Sequence, residues 1–228
     1  MRLASLLLGT TLAGLLAAPA LADAALVIGN GAYDALPDLG AGARPVRALA
    51  GIEALGFAIS AAADADREEA GRALRGFMAE VPEAERLVVV LSGRFVTDGG
   101  RTWHLSADTA VPTLFGLNSN ALSVESVMAV LARRPSQAVL VLGLDADARD
   151  AFDPWLREGL GELDIPQGVT VLRGSPGVVA AFMQDGLARP GGDLAALVAR
   201  TPGLRGDGYL PQGFAFMPDG PREAPSPE

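Results

Sequence analysis

The sequence predicts a three-layer α/β sandwich, a mostly parallel sheet of about six strands with helices on both faces. Three observations carry that reading. Short apolar runs recur without polar alternation, as strands covered on both faces require. Segments of helical periodicity lie between them, and alternating strand and helix builds layered sheets of this kind. Turn residues are plentiful, with 28 Gly and 16 Pro among 228 residues, which favours many short elements over a few long helices. Half the residues are hydrophobic and only 5% aromatic, so the core is built mainly of Ala, Val and Leu. The length suits one domain.

Strands are expected at residues 25–28, 57–61, 87–91, 138–144 and 169–172, and a weaker sixth at 213–217 closes the domain. The clearest helix spans 66–81. Its Ala70, Ala73, Leu74, Phe77, Met78 and Val81 share one face, and Glu68 and Glu69 fill the first turn, where the helix dipole favours negative charge. An earlier helix starts at Pro45 and carries Val46, Leu49 and Leu55. Ser123 caps another, with Val124, Val127, Met128 and Leu131 inward. Asp153-Pro154 and Ser175-Pro176 each pair a cap with proline at the first helical position. Residues 101–107 read as a short hairpin strand turned by Thr97-Asp98-Gly99-Gly100. There is no internal repeat.

Residues 1–22 read as a signal peptide. Arg2 gives the positive start, residues 3–18 are uncharged and apolar, and Ala20-Leu21-Ala22 supplies a small-x-small cleavage site before Asp23. The apolar run falls short of the roughly 20 residues a membrane span needs. The folded domain is expected over 23–218, and the Pro- and acid-rich tail, 219–228, is expected to be disordered. The predicted location is the periplasm or the exterior, with no stable membrane span after cleavage.

The formal net charge is −9, from 18 basic and 27 acidic residues. Removing Arg2 with the leader makes it about −10. That excludes nucleic acid as a natural partner, because phosphates demand a basic face. It also disfavours adsorption to anionic lipid. No cysteine is present and the only histidine is His104, so stability comes from packing rather than disulfides, although an exported protein could form them.

In open α/β sheets, sites form beyond the carboxyl ends of the strands. That singles out residues 29–33, 92–95 and 145–153. Gly29-Asn30-Gly31 follows a strand, but Asp34 stands where a dinucleotide fingerprint needs glycine. The segment is a turn leaving the sheet.

Several ordered strings carry a family resemblance over roughly residues 24–185. They are Ala25-Leu26-Val27-Ile28-Gly29-Asn30 with Tyr33, then Ala54-Leu55-Gly56-Phe57, Leu91-Ser92-Gly93-Arg94-Phe95, Asp145-Ala146-Asp147-Ala148-Arg149-Asp150 and Gly174-Ser175-Pro176-Gly177. Together they resemble the bacterial caspase-like peptidases related to metacaspases and paracaspases. The resemblance implies a caspase-like three-layer sandwich and a histidine–cysteine dyad at the ends of the third and fourth core strands. Here Arg94 holds the histidine position, and Asp147, or Ala148 with the gap placed otherwise, holds the cysteine position. The acid that such members carry before the first helix is replaced around residues 42–45. Asp145 persists. In metacaspase-like members the corresponding acid helps to recognise a basic side chain, so a vestigial cation-binding pocket is implied.

These departures remove the chemistry. The peptidases use a thiolate activated by an imidazole. A guanidinium keeps its proton and cannot act as a general base. His104, between Trp103 and Leu105 on the hairpin strand, reads as a histidine packed by its neighbours. The expectation is a degenerate, non-enzymatic domain that acts as an exported binding or regulatory module for a protein or peptide partner. No cofactor and no metal are expected. Arg94 and Asp147, of opposite charge on neighbouring strand ends, are expected to form an ion pair, and Asp145 to join them as a binding residue.

Alternatives are weaker. Cysteine-type endopeptidase activity would follow from family descent alone. Magnesium-dependent phosphotransfer would use Asp145 as nucleophile and Asp147 as acid/base, but Arg149 stands at a position where threonine or valine is required, and the chain has no lysine. A calcium loop from Asp145 fails at Asp150 and Leu156. No Gly-x-Ser-x-Gly elbow exists, and Ser92 has only His104 as an available base. The cluster of Asp145, Asp147, Asp150 and Asp153 is most simply a solvated loop.

Overall fold

A computed structural model describes residues 23–145 and 153–217. Its main sheet has six strands in the order β10-β9-β7-β3-β1-β2. These are β1 (Ala24–Gly29), β2 (Ala58–Ala63), β3 (Leu87–Ser92), β7 (Ala138–Gly143), β9 (Val169–Gly174) and β10 (Arg205–Gly208). All pairings are parallel except that of β10 with β9. Every residue of β1, β3 and β7 is buried, which is why these strands read as unbroken apolar runs.

Alternate side chains of those strands feed two cores. Ala25, Val27, Val88, Val90, Val139 and Val141 pack with Ile52, Val179, Phe182 and Leu194. These come from α1 (Arg44–Arg47), α2 (Ala50–Glu53), α6 (Pro176–Phe182) and α7 (Leu194–Ala199) and their surroundings. On the other face Leu26, Ile28, Val89, Leu91, Leu140 and Leu142 pack with Phe77, Val127, Met128 and Leu131, from α3 (Arg67–Glu80) and α5 (Val124–Leu131). The three-layer sandwich is as expected.

Local signals account for the helix starts. Asp66 and Glu69 form a reciprocal capping box at α3. Ser123 and Ser175 accept hydrogen bonds from Ser126 N and Val178 N at α5 and α6. Met78, read as facing inward, is 41% exposed, because it lies at the margin of the α3 face.

Three expectations need correction. The sixth strand is Arg205–Gly208, not 213–217. Within 213–217 only Ala215 makes a bridge, to Asp193. Phe216 and Met217 are buried, and Phe214 packs edge-on against Tyr209 and Phe216, so that apolar run fills the core without joining the ladder. The real edge strand is polar and is held by the Arg173–Asp207 ion pair at 2.6 Å. Asp153-Pro154 does not start a helix. Asp153 Oδ1 accepts from Trp155 N at 3.0 Å in a tight turn, which delivers the short strand β8 (Arg157–Glu158). The helix expected from Pro45 is split into α1 and α2, with Ala48 leaving helical geometry between them.

The hairpin expected over residues 97–107 is present. The hairpin strands β4 (Phe95–Thr97) and β5 (Thr102–Leu105) belong to a second antiparallel sheet, β6-β5-β4-β8, in which β6 (Ala121–Ser123) follows the short helix α4 (Leu117–Asn120). Asp98 Oδ1 braces its turn by accepting from Gly100 N and Arg101 N at 2.9 and 2.7 Å. Asn30 ties this sheet to the main one. Fully buried at the end of β1, its Nδ2 donates to Leu105 O and its Oδ1 accepts from Ala65 N, each at 2.9 Å. The chain turns out of the sheet here, as read. A Cβ at Gly42 would fall 1.9 Å from Asn30 O, so the turn requires glycine there.

Replacing Asn30 by Ala strands a buried N–H and a buried carbonyl. At about 1–3 kcal/mol for each group, Asn30→Ala should lower stability by roughly 2–6 kcal/mol. Urea denaturation should show the midpoint falling with little change in slope.

Candidate functional site

The carboxyl ends of β1, β3 and β7 align, with Gly29 opposite Ser92 and Ser92 opposite Gly143. Gly93 N donates to Gly143 O at 2.9 Å and continues the ladder one residue. Gly93 has φ of +146°, and a Cβ there would lie 2.6 Å from Tyr33 Oη and 3.0 Å from His104 Nε2. Only glycine allows this crowded exit. Arg94 follows and is placed by it.

Arg94 is buried, at 7% exposure. Its backbone N–H donates to Tyr33 Oη at 2.7 Å, and its Nε donates to Pro37 O at 2.8 Å. Its Nη1 forms a short ion pair with Glu158 Oε1, and the Glu158 side chain is 4% exposed. The guanidinium carbon lies 5.9 Å from the Tyr33 ring centroid, within cation–π range. Burial pushes the Tyr33 phenol above its ordinary pKa, so it stays protonated while accepting from Arg94 N.

Glu158 arrives on β8, whose pairing with β4 sets Glu158 opposite Val96. Sequence reading missed it. An isolated Glu in Leu156-Arg157-Glu158-Gly159 carries no motif, and its role appears only once the two-residue strand is docked.

Asp145 lies just beyond β7, exposed, and lines the same small cleft as Asp38, Arg94 and Glu158. The structure thus brings Arg94 and Asp145 to one cleft. Asp147, the expected ionic partner of Arg94, lies outside the described residues, as do Ala148 and Asp150. The ion pair seen at Arg94 is with Glu158. Among the described residues no group of three or more His, Cys, Asp or Glu side chains is arranged to hold a metal. None of their helices is long and apolar enough to cross a membrane.

His104 is 2% exposed. Its ring lies 5.1 Å from that of Phe95, and Nε2 is 3.0 Å from Ser92 O. A carbonyl only accepts, so Nε2 carries the hydrogen of the neutral ring. Burial lowers the His104 pKa to about 4, and the bond to Ser92 O opposes that only in part. Among the described residues, Ser92 Oγ is buried without a hydrogen-bond partner.

No protein-family model and no curated protein matches this chain. Solved structures do. The Drosophila initiator caspase Dronc matches with a TM-score of 0.54 at 12% identity, over 85% of this chain and 80% of that one. Pro-sf-caspase-1 matches at 11% identity with a TM-score of 0.47, over 87% of this chain and 83% of that one. At such identity the likeness to Dronc speaks to architecture alone. The fold is caspase-like.

Two outcomes follow. Removing one member of a buried ion pair leaves the other uncompensated, at about 3–5 kcal/mol. Arg94→Met alone should lose that much in chemical denaturation, and adding Glu158→Leu should recover most of it. Second, His104 is neutral when folded and ionises near pH 6.5 when unfolded, so the unfolded state binds the extra proton between those pKa values. Stability contributed by neutral His104 is therefore full above about pH 6.5 and is lost as pH falls toward 4, by roughly 3 kcal/mol. Denaturation midpoints of His104→Gln should fall less steeply than wild type across that window.

Proposed function

We propose that this chain is a pseudopeptidase, a degenerate relative of the bacterial metacaspase and paracaspase group that binds a protein or peptide and cleaves nothing. The observation that carries this reading is the state of Arg94. At the strand end where the resemblance requires a catalytic histidine stands a guanidinium locked to Glu158 and Pro37 O. The chain has no thiol anywhere. His104, its only imidazole, commits Nε2 to a backbone carbonyl.

A binding role is supported by the cleft itself. Among the described residues, Asp38, Asp145 and Glu158 line the cleft with one arginine, so carboxylates outnumber guanidinium there. That charge balance suits a peptide with a basic side chain. An exported location rests on the leader read in residues 1–22, which lie outside the described residues.

Purified protein should hydrolyse neither casein nor fluorogenic peptides with Arg, Lys or Asp before the scissile bond. It should not turn over p-nitrophenyl phosphate with Mg²⁺. Hydrolysis that disappears with Arg94→Ala would refute the pseudopeptidase reading, and magnesium-dependent turnover lost with Asp145→Asn would favour phosphotransfer. A randomised peptide library panned on the folded protein should retain sequences with basic residues, and Asp145→Ala should weaken their capture.

A further inference from the structure

The main sheet ends in two unlike edges. Strand β10 reads Arg205-Gly206-Asp207-Gly208, and charged side chains blunt an edge against further pairing. Strand β2 closes the other side and pairs only with β1. It reads Ala58-Ile59-Ser60-Ala61-Ala62-Ala63, with no charge and no proline. Its register with β1 runs one residue to one without a bulge, and Ala61 and Ala63 are exposed.

The backbone of β2 is set for a further strand. Ala58 N and Asp64 N donate to Asp23 O and Gly29 O on the β1 side, at 2.7 and 2.9 Å. Successive residues of a strand turn their backbone groups to opposite sides. Ile59, Ala61 and Ala63 therefore direct N–H and C=O outward, and among the described residues no strand meets them. An open, uncharged edge of this kind is a template for pairing.

The surface beside the edge says what pairs there. A groove of about 360 Å³ runs along it, lined by residues 60–63 of β2 and by Glu69, Arg72 and Ala73 of α3. Its two charges are of opposite sign and stand three residues apart on one helix. A twofold axis lays such a patch on itself in reverse, so Glu69 of each copy meets Arg72 of the other. Glu69 Oε2 accepts from Asp66 N, and Arg72 Nη2 pairs with Glu68, but a carboxylate and a guanidinium each have further positions to offer. Helix α3 packs over both β1 and β2. Edges paired at about 4.8 Å thus set the two α3 helices about 10 Å apart, an ordinary helix-packing distance. The chain's own tail is a poor occupant, because Pro218, Pro221, Pro225 and Pro227 lack the N–H a ladder needs.

We propose that β2 is a dimerisation edge. A second copy of this chain pairs with it antiparallel about a twofold axis near Ala62, with Ala61 opposite Ala63 and Glu69 beside Arg72 of the other copy, so that one sheet runs through both. The proposal does not depend on the pseudopeptidase reading, because Arg94, Asp145 and Glu158 lie off this edge.

Sedimentation velocity of the purified protein over a concentration series should show a monomer–dimer equilibrium. Ala61→Pro removes an outward N–H and spares the ladder to β1, so it should give a monomer with an unchanged circular dichroism spectrum. Arg72→Glu should weaken the dimer about tenfold by turning both cross-pairs repulsive, and adding Glu69→Arg should restore it. Amide hydrogen exchange reads the edge itself. Ala61 and Ala63 should exchange fast in dilute protein and slow as concentration rises, while Ala58 and Asp64 keep one rate. A monomer at every soluble concentration overturns the proposal. So does a dimer that survives Ala61→Pro, which would be built on another surface. Protection of Ala61 and Ala63 at every concentration also overturns it, since the chain would then be covering its own edge.

Discussion

The two sheets of this protein are joined by a polar contact inside an apolar core, and everything near the candidate site depends on it. The central strands β1, β3 and β7 are buried on both faces. They can therefore offer the second sheet little except their carboxyl ends. Asn30 makes that connection, one side chain holding the N–H of Ala65 and the carbonyl of Leu105. Any other short side chain there would leave two backbone groups unsatisfied away from water. The contact positions β5, hence His104, and brings β4 and β8 within reach of the β3 exit. Tyr33 completes the joint by capping the Arg94 N–H.

Given that scaffold, an arginine beyond β3 has a definite consequence. An imidazole can be buried neutral. A guanidinium cannot, so the fold must supply a permanent counter-charge from within. Glu158 does so, with further help from Pro37 O and the Tyr33 ring. Arg94 and Glu158 are thus one physical unit, although 64 residues separate them. Such a pair gains little net stability over an apolar replacement, but it fixes where β8 can dock.

The architecture was legible in the sequence because its signals are local. Unbroken Val and Leu runs specified β1, β3 and β7, helical periodicity marked α3, and capping residues marked α5 and α6. What escaped was set by distant partners. Strand β10 reads Arg-Gly-Asp-Gly and has no apolar signal; it is a strand because β9 offers an open edge and Asp207 meets Arg173. Residues 213–217 carried the apolar signal and used it for packing. Strand β8 is two residues long and exists only by pairing with β4. In the candidate site Arg94 and Asp145 were singled out by the sequence, because strand ends mark such positions. Glu158 was not, because only the docked hairpin makes it a partner.

His104 shows how the same joint separates two environments. Its Nε2 faces the β3 exit and is fixed by Ser92 O, one residue before Gly93. Its ring also lines a cavity against α3. A protonated imidazole would place an uncompensated charge there, since the contacts made to the ring are a carbonyl and the Phe95 face edge, and burial alone drives its pKa down. The ring is thus held in one tautomer by geometry and in one charge state by its surroundings. That combination makes a poor general base, which must exchange protons near the working pH.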